Sequence, residues 1–323
     1  MGHGGDISVT VGTGNTGNGG DVSVTAGRTT SGDNGGNVVV DAGSSFYGVG
    51  GAVVVTSGHG DSKDSGAVMI QSSDSGFYGV SGEMLLSTGS TTAGSSGKFQ
   101  VYTGDSVLGT SGALELFSGK STGGNGGDIV LAVGTGNTNT GGDVSITAGE
   151  TTDDGFYGVG GNVVITAGLG SSTDATDGGD GGHVIVTAGA SKGSNKNIDV
   201  GGDVVVTAGS AEASTGGNIA VTSGASTATS SGFISIATAD SGFYGVSGMM
   251  SMSTGTASAG DSGDIAVATG NATMGHGGDI SVAVGTGNAG NGGDVSVVAG
   301  RTTSADNGGN VVVDAGSSFY GVG

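Results

Sequence analysis

The chain has 323 residues, 78 of them glycine, with no proline, cysteine or tryptophan and a formal net charge of −21. Lacking cysteine, it has neither disulfides nor thiolate metal sites. With seven Lys and Arg against 28 Asp and Glu, it is a poor partner for a polyanionic nucleic acid, and cations are its charge-complementary ligands.

The first twelve residues, MGHGGDISVTVG, return at position 274 as MGHGGDISVAVG. Residues 1–50 and 274–323 agree at 46 of 50 positions and differ only at Thr10/Ala283, Thr16/Ala289, Thr25/Val298 and Gly32/Ala305. Met1 is therefore the counterpart of Met274, an interior residue. The expectation is a segment of a longer repetitive polymer with a long period of 273 residues. No apolar run approaches the roughly 18 residues of a membrane-spanning helix, so no membrane insertion is expected, and no secretory leader is visible.

A shorter period runs inside the long one. Units opening on Gly-Gly or Ser-Gly start at residues 4, 19, 35, 50 and 65 and continue to 308, making 20 units, mostly 15 or 16 residues apart. Three consecutive steps, from 141, 160 and 181, are longer, at 19, 21 and 20 residues. Each unit begins with alternating residues. In GGDVSVTAG at 19–27, Val22, Val24 and Ala26 share one side and Asp21, Ser23 and Thr25 the other. The same apolar positions hold Ile7, Val9 and Val11; Val38, Val40 and Ala42; Leu114 and Leu116; Ile129, Leu131 and Val133; Met250 and Met252. A polar tail such as RTTSGDN at 28–34 follows.

One unit cannot bury its apolar side alone, but stacked units can. The alternation therefore predicts an all-β fold, a parallel β-solenoid (β-helix) of about 20 units of 15–16 residues. One unit per coil is favoured over two, because two would need two long polar arcs in every coil. A right-handed wind is the default, and a rise of about 4.8 Å per coil gives a rod of about 95 Å. The domain expectation is one continuous solenoid over 1–323, with diverged long repeats at 4–125 and 126–276 and the start of a third copy at 277–323.

The phrases GGDVSVTAG, GGNVVITAG, GGHVIVTAG and GGDVVVTAG resemble the GG-x-V-x-V-x-AG repeats of large β-solenoid surface proteins of marine protists of the diatom and haptophyte type. More remotely, they are similar to the β-helix repeats of filamentous haemagglutinins. The resemblance covers nearly the whole chain and implies a solenoid with an extracellular or cell-surface structural role.

Several residues are candidates for contact or chemistry. FYGV occurs five times, and its aromatics, Phe46, Tyr47, Phe77, Tyr78, Phe156, Tyr157, Phe243, Tyr244, Phe319 and Tyr320, read either as docking knobs for a neighbouring chain or as plugs for the thin side of the core. The middle position of the strand pattern, polar if it faces water, instead carries residues such as Val39, Val54, Val164, Ile185 and Val205. That marks a second apolar face for lateral packing. Thr147, Thr166, Thr187, Thr207 and Thr222 form an outward ladder, expected from cross-strand stacking; a flat Thr array could bind ice, but the paired Thr-x-Thr spacing of ice-binding solenoids is replaced here by Ser145, Val164, Ile185, Val205 and Ala220 at the partner positions. Asp or Asn follows the opening glycines in most units, where it caps a turn or offers oxygen to calcium. The loop STDATDGGD, with Asp174, Asp177 and Asp180, is the best single calcium candidate, and calcium is the one cofactor considered. Asn271-Ala272-Thr273 is a glycosylation sequon, and the Ser/Thr-rich tails admit other glycans. His3, His59, His183 and His276 assemble no nucleophile–base pattern, so no enzyme is expected.

These features predict a structural protein: a segment of an extracellular filament, appendage or surface fibre, of the flagellar-hair or mucilage kind, self-associating along its axis and laterally. The alternative is a cell-surface adhesin or an ice- or glycan-binding module.

Overall fold

The structure is a computed structural model describing residues 4–138, 140–152, 158–195 and 197–316. It divides into two units, Met1–Thr147 and Ala148–Gly323. In the first, the chain bends at 15–17, 30–33, 46–48, 61–63, 77–78, 92–94, 107–109, 122–124 and 137–138. In the second it bends at 175–177, 197–198, 212–214, 227–229, 243–244, 258–260, 273–275, 288–290 and 303–306. All these bends lie in polar tails, and the Val/Ile-rich stretches between them run unbent.

The expected all-β solenoid is not what forms. The described residues contain no strand and no helix, and the chain is coil-rich and irregular. Fourteen backbone–backbone hydrogen bonds join the described residues, where a folded chain of this length would carry about 200. The one-unit coil, its handedness and the 4.8 Å stacking all go with this correction.

The physical reason lies in where each tail returns. In a one-unit coil the tail must bring the chain back to the start of the preceding stretch, so that Gly36 would lie beside Gly20 and Asp21. Instead the Gly36 amide donates to the Gly27 carbonyl at 2.9 Å, at the far end of that stretch. The same closure recurs from Gly51 to Gly43 (2.7 Å) and Gly66 to Gly58 (2.9 Å) in the first unit. The second unit repeats it from Gly161 to Gly149, Gly182 to Gly168, Gly202 to Gly189 and Gly309 to Gly300, all at 2.9 Å. Each of these tails is thus a loop closed at its own base. The next stretch begins where the last one ended, and no further rungs follow among the described residues. Alternation specifies which side a residue faces; a ladder also needs a neighbour in register.

Which loops close follows, apart from serine, the residue before the first glycine. Where the residue before the first glycine is alanine, as at Ala26, Ala42, Ala148, Ala167, Ala188, Ala208 and Ala299, the bond forms. Where that residue is valine or threonine, as at Val11, Val133, Val284, Thr88, Thr103 and Thr254, it does not. Serine divides: Ser57 and Ser223 permit it and Ser118 does not. The approach is close, since a Cβ on Gly36 would sit 3.2 Å from the Gly27 nitrogen and 3.5 Å from the Ala26 Cβ. A branched side chain fills that space: a Cβ on Gly20 would be 2.8 Å from Val11 Cγ1.

No described residue is buried, and the apolar sides that stacking was to cover are open, with Val22 60% and Val24 75% exposed. The accessible surface is 32283 Å², whereas a compact protein of this mass exposes about 11,700 Å² and its extended chain about 43,000 Å². The partly shielded residues are few and include the loop-base residues Ala26, Ser57, Ala148, Ala167, Ala188, Ala208, Ser223 and Ala299.

Repeat equivalents adopt the same local geometry. Gly17 and Gly290 both take a left-handed backbone, with φ of 83° and 80°, a conformation that disfavours side chains other than Asn or Asp. Ser31 Oγ donates to Asp33 Oδ2 at 2.7 Å and lies 2.8 Å from Thr29 Oγ1. Ser304, Asp306 and Thr302 repeat both distances, although Gly32 has become Ala305.

Candidate functional site

The most distinctive side-chain arrangement is the FYGV turn. In Gly76-Phe77-Tyr78-Gly79, the Gly79 amide donates to the Gly76 carbonyl at 3.1 Å. Gly242-Phe243-Tyr244-Gly245 closes in the same way at 3.0 Å. Serine replaces the first glycine at Ser45, and its Oγ accepts from the Gly48 amide at 2.8 Å in place of the carbonyl. Both aromatics therefore occupy the two central positions of a four-residue turn, from which side chains project away from the chain. Each pair packs edge to face. The centroids are 4.7 Å apart at 76° for Phe46 and Tyr47, 4.7 Å at 84° for Phe77 and Tyr78, and 4.8 Å at 85° for Phe243 and Tyr244.

These rings plug no core. Phe46 is 90% exposed and Tyr47 97%, and the other two described pairs are similarly open. Phe156, Tyr157, Phe319 and Tyr320 lie outside the described residues. The second apolar face is exposed as well, including Val164, Ile185 and Val205.

The acidic loop is held by one of its own carboxylates. Asp174 Oδ1 accepts from the Thr176 amide at 2.8 Å and the Asp177 amide at 3.2 Å. The Gly179 amide donates to the Ser172 carbonyl at 3.1 Å, inside the wider loop closed by Gly182 and Gly168. The two amide bonds favour the ionised carboxyl and hold Asp174 below the usual carboxylate range. Asp174 acts as a turn cap, and among the described residues no three His, Asp or Glu side chains gather closely enough to hold a metal ion.

The other candidates stand apart. Asn271 is exposed and lies two residues before the bend at 273–275. His59 lies 3.5 Å from Asp61 with both side chains exposed, a geometry worth little in water. No pocket forms among the described residues.

Two organising features escaped the sequence reading. Serine caps inside the tails order several bends: Ser106 Oγ accepts from the Gly109 amide at 3.1 Å, and Ser121 Oγ from the Gly124 amide at 3.0 Å. The Ser-x-x-Gly spacing was the available signal. The second is the Ala-Gly pair before a tail, read as the end of a strand when it marks a loop base. No protein-family model, no curated protein and no solved structure matches the chain.

Proposed function

We propose that this chain is a segment of a structural protein that self-associates, along its length and laterally, into an extracellular filament, appendage or surface fibre, without catalysing a reaction. The observation that carries the reading is the open apolar surface at a fixed period. Val39, Val164, Ile185 and Val205 are between 73% and 81% exposed, and no described residue supplies a buried core. A monomer leaving this much apolar surface in water gains about 25 cal/mol for every Å² that a neighbouring copy covers, and contiguous exposed apolar patches mark association sites. Regular units present the same surface again every 15 or 16 residues, so each contact made with another copy can be repeated along the chain. The partner is therefore a second copy of the chain rather than a nucleic acid, which the net charge of −21 repels.

The test is sedimentation of the full chain over a wide concentration range, with electron microscopy of the same samples. Mass rising with concentration into elongated assemblies is the expected result. A monodisperse monomer at every concentration overturns the proposal, and glycan or ice binding by that monomer would move the protein to the binding-module class.

A further inference from the structure

We infer that the tyrosines of the FYGV motifs are sites of oxidative coupling, joining copies of this chain by carbon–carbon bonds between phenol rings. The inference rests on the self-association reading in one respect: neighbouring copies must bring their turns together. With no cysteine and no tryptophan in the chain, the phenols are the side chains that one-electron oxidation reaches most readily. Five of the six tyrosines, Tyr47, Tyr78, Tyr157, Tyr244 and Tyr320, occupy the same position of the same motif. The sixth, Tyr102, lies in an unbent stretch.

Coupling requires two rings to meet at carbons ortho to the hydroxyl, so each ring must stand clear of its own backbone. Tyr47 and Tyr78 do so, at 97% and 96% exposure on turn tips, and Tyr244 is 88% exposed on an equivalent tip. Each has a phenylalanine ring edge-on at 4.7 or 4.8 Å. Two tips in contact therefore present four rings, whose apolar area favours the encounter in which phenols touch.

The reaction balances with hydrogen peroxide as oxidant, delivered by a haem peroxidase acting on the exposed phenols. Each of two tyrosines loses one electron and one proton to give a phenoxyl radical. The radicals join at their ortho carbons, and each displaced ring hydrogen moves to oxygen to restore the phenol. Overall, two tyrosines and one peroxide give one dityrosine and two waters.

The experiment treats the full chain with a haem peroxidase and hydrogen peroxide, then measures dityrosine in the hydrolysate and covalent oligomers under denaturing conditions. Native chain and Tyr102→Phe should both form a ladder. Replacing Tyr47, Tyr78, Tyr157, Tyr244 and Tyr320 together by Phe, which keeps the paired rings, should lower dityrosine at least tenfold. A five-site variant that ladders like the native chain overturns the inference, as does dityrosine confined within single chains. Sedimentation before oxidation separates the two ideas. Assembly without dityrosine removes the coupling alone, whereas dityrosine-linked oligomers from a chain that sediments as a monomer keep the coupling and remove the filament.

Discussion

Replacing Ala26 by valine should open the loop between Gly27 and Gly36. The native bond is 2.9 Å long, and the approach leaves only 3.5 Å between the Ala26 Cβ and a Cβ placed on Gly36. Two added methyl groups would occupy that gap, as Val11 Cγ1 does 2.8 Å from the equivalent point at Gly20. The bond is exposed, so its loss should cost about 1 kcal/mol, near the middle of the range for a single backbone hydrogen bond. That is about a fivefold fall in the closed-to-open ratio. Amide hydrogen exchange at Gly36, read by nuclear magnetic resonance, measures it directly: the rate should rise about fivefold in Ala26→Val. The reciprocal change, Val133→Ala, should let the Gly142 amide reach the Gly134 carbonyl and slow exchange at Gly142 by a similar factor. If Gly36 exchanges at the native rate in Ala26→Val, or Gly142 no more slowly in Val133→Ala, side-chain size does not control closure and the account given for these loops is wrong.

Two other outcomes are expected. The Asp174 carboxyl is held below its ordinary value by the amides of Thr176 and Asp177, so its contribution to the turn is fully present above about pH 4 and is lost as pH falls through the depressed value. The Thr176 and Asp177 amide shifts should report that low midpoint, and Asp174→Asn should keep the turn while removing the pH dependence; amides titrating like an unperturbed carboxylate would count against the cap. Separately, copies carrying a charge of −21 repel one another. Raising ionic strength from about 0.01 to 0.15 M shortens the screening length from about 30 to 8 Å and should therefore increase assembly mass in sedimentation. Assembly that weakens with salt would mean that charge contacts, not apolar ones, hold the copies together.

The sequence carried the punctuation of this structure better than its pairing. Bends fall inside the polar tails, where Gly, Ser, Asn and Asp concentrate, because those residues supply left-handed backbone or cap amides locally, as Gly17, Ser45 and Asp174 do. Pairing is not local. Val22 and Val24 alternate like strand residues, yet their alternation is silent about whether Gly36 returns to Gly20 or to Gly27. That choice is made by the size of residue 26, a detail that a hydrophobic pattern scores the same for alanine and valine. The aromatic motif was legible as a recurring word. Its exposure was one of two readings, because an expected core could equally have taken the rings inside. For the acidic loop, three carboxylates within seven residues read as ligands, while Asp174 satisfies amides that are already at hand.

The loop-base bond has a bearing on how such an array tolerates change. It spans from residue 43 to 51 in one loop and from 168 to 182 in another, at 2.7 and 2.9 Å. Lengthening a loop to that extent costs only about 0.5 kcal/mol in closure entropy. The tail can therefore gain or lose residues while its two glycine ends stay clasped and the flanking stretches stay as they were. Each Ala-Gly…Gly-Gly clasp is in effect a ready insertion port. Foreign peptides placed in the tails at 171–181 or 190–200 would be displayed at intervals set by the array rather than by their own length.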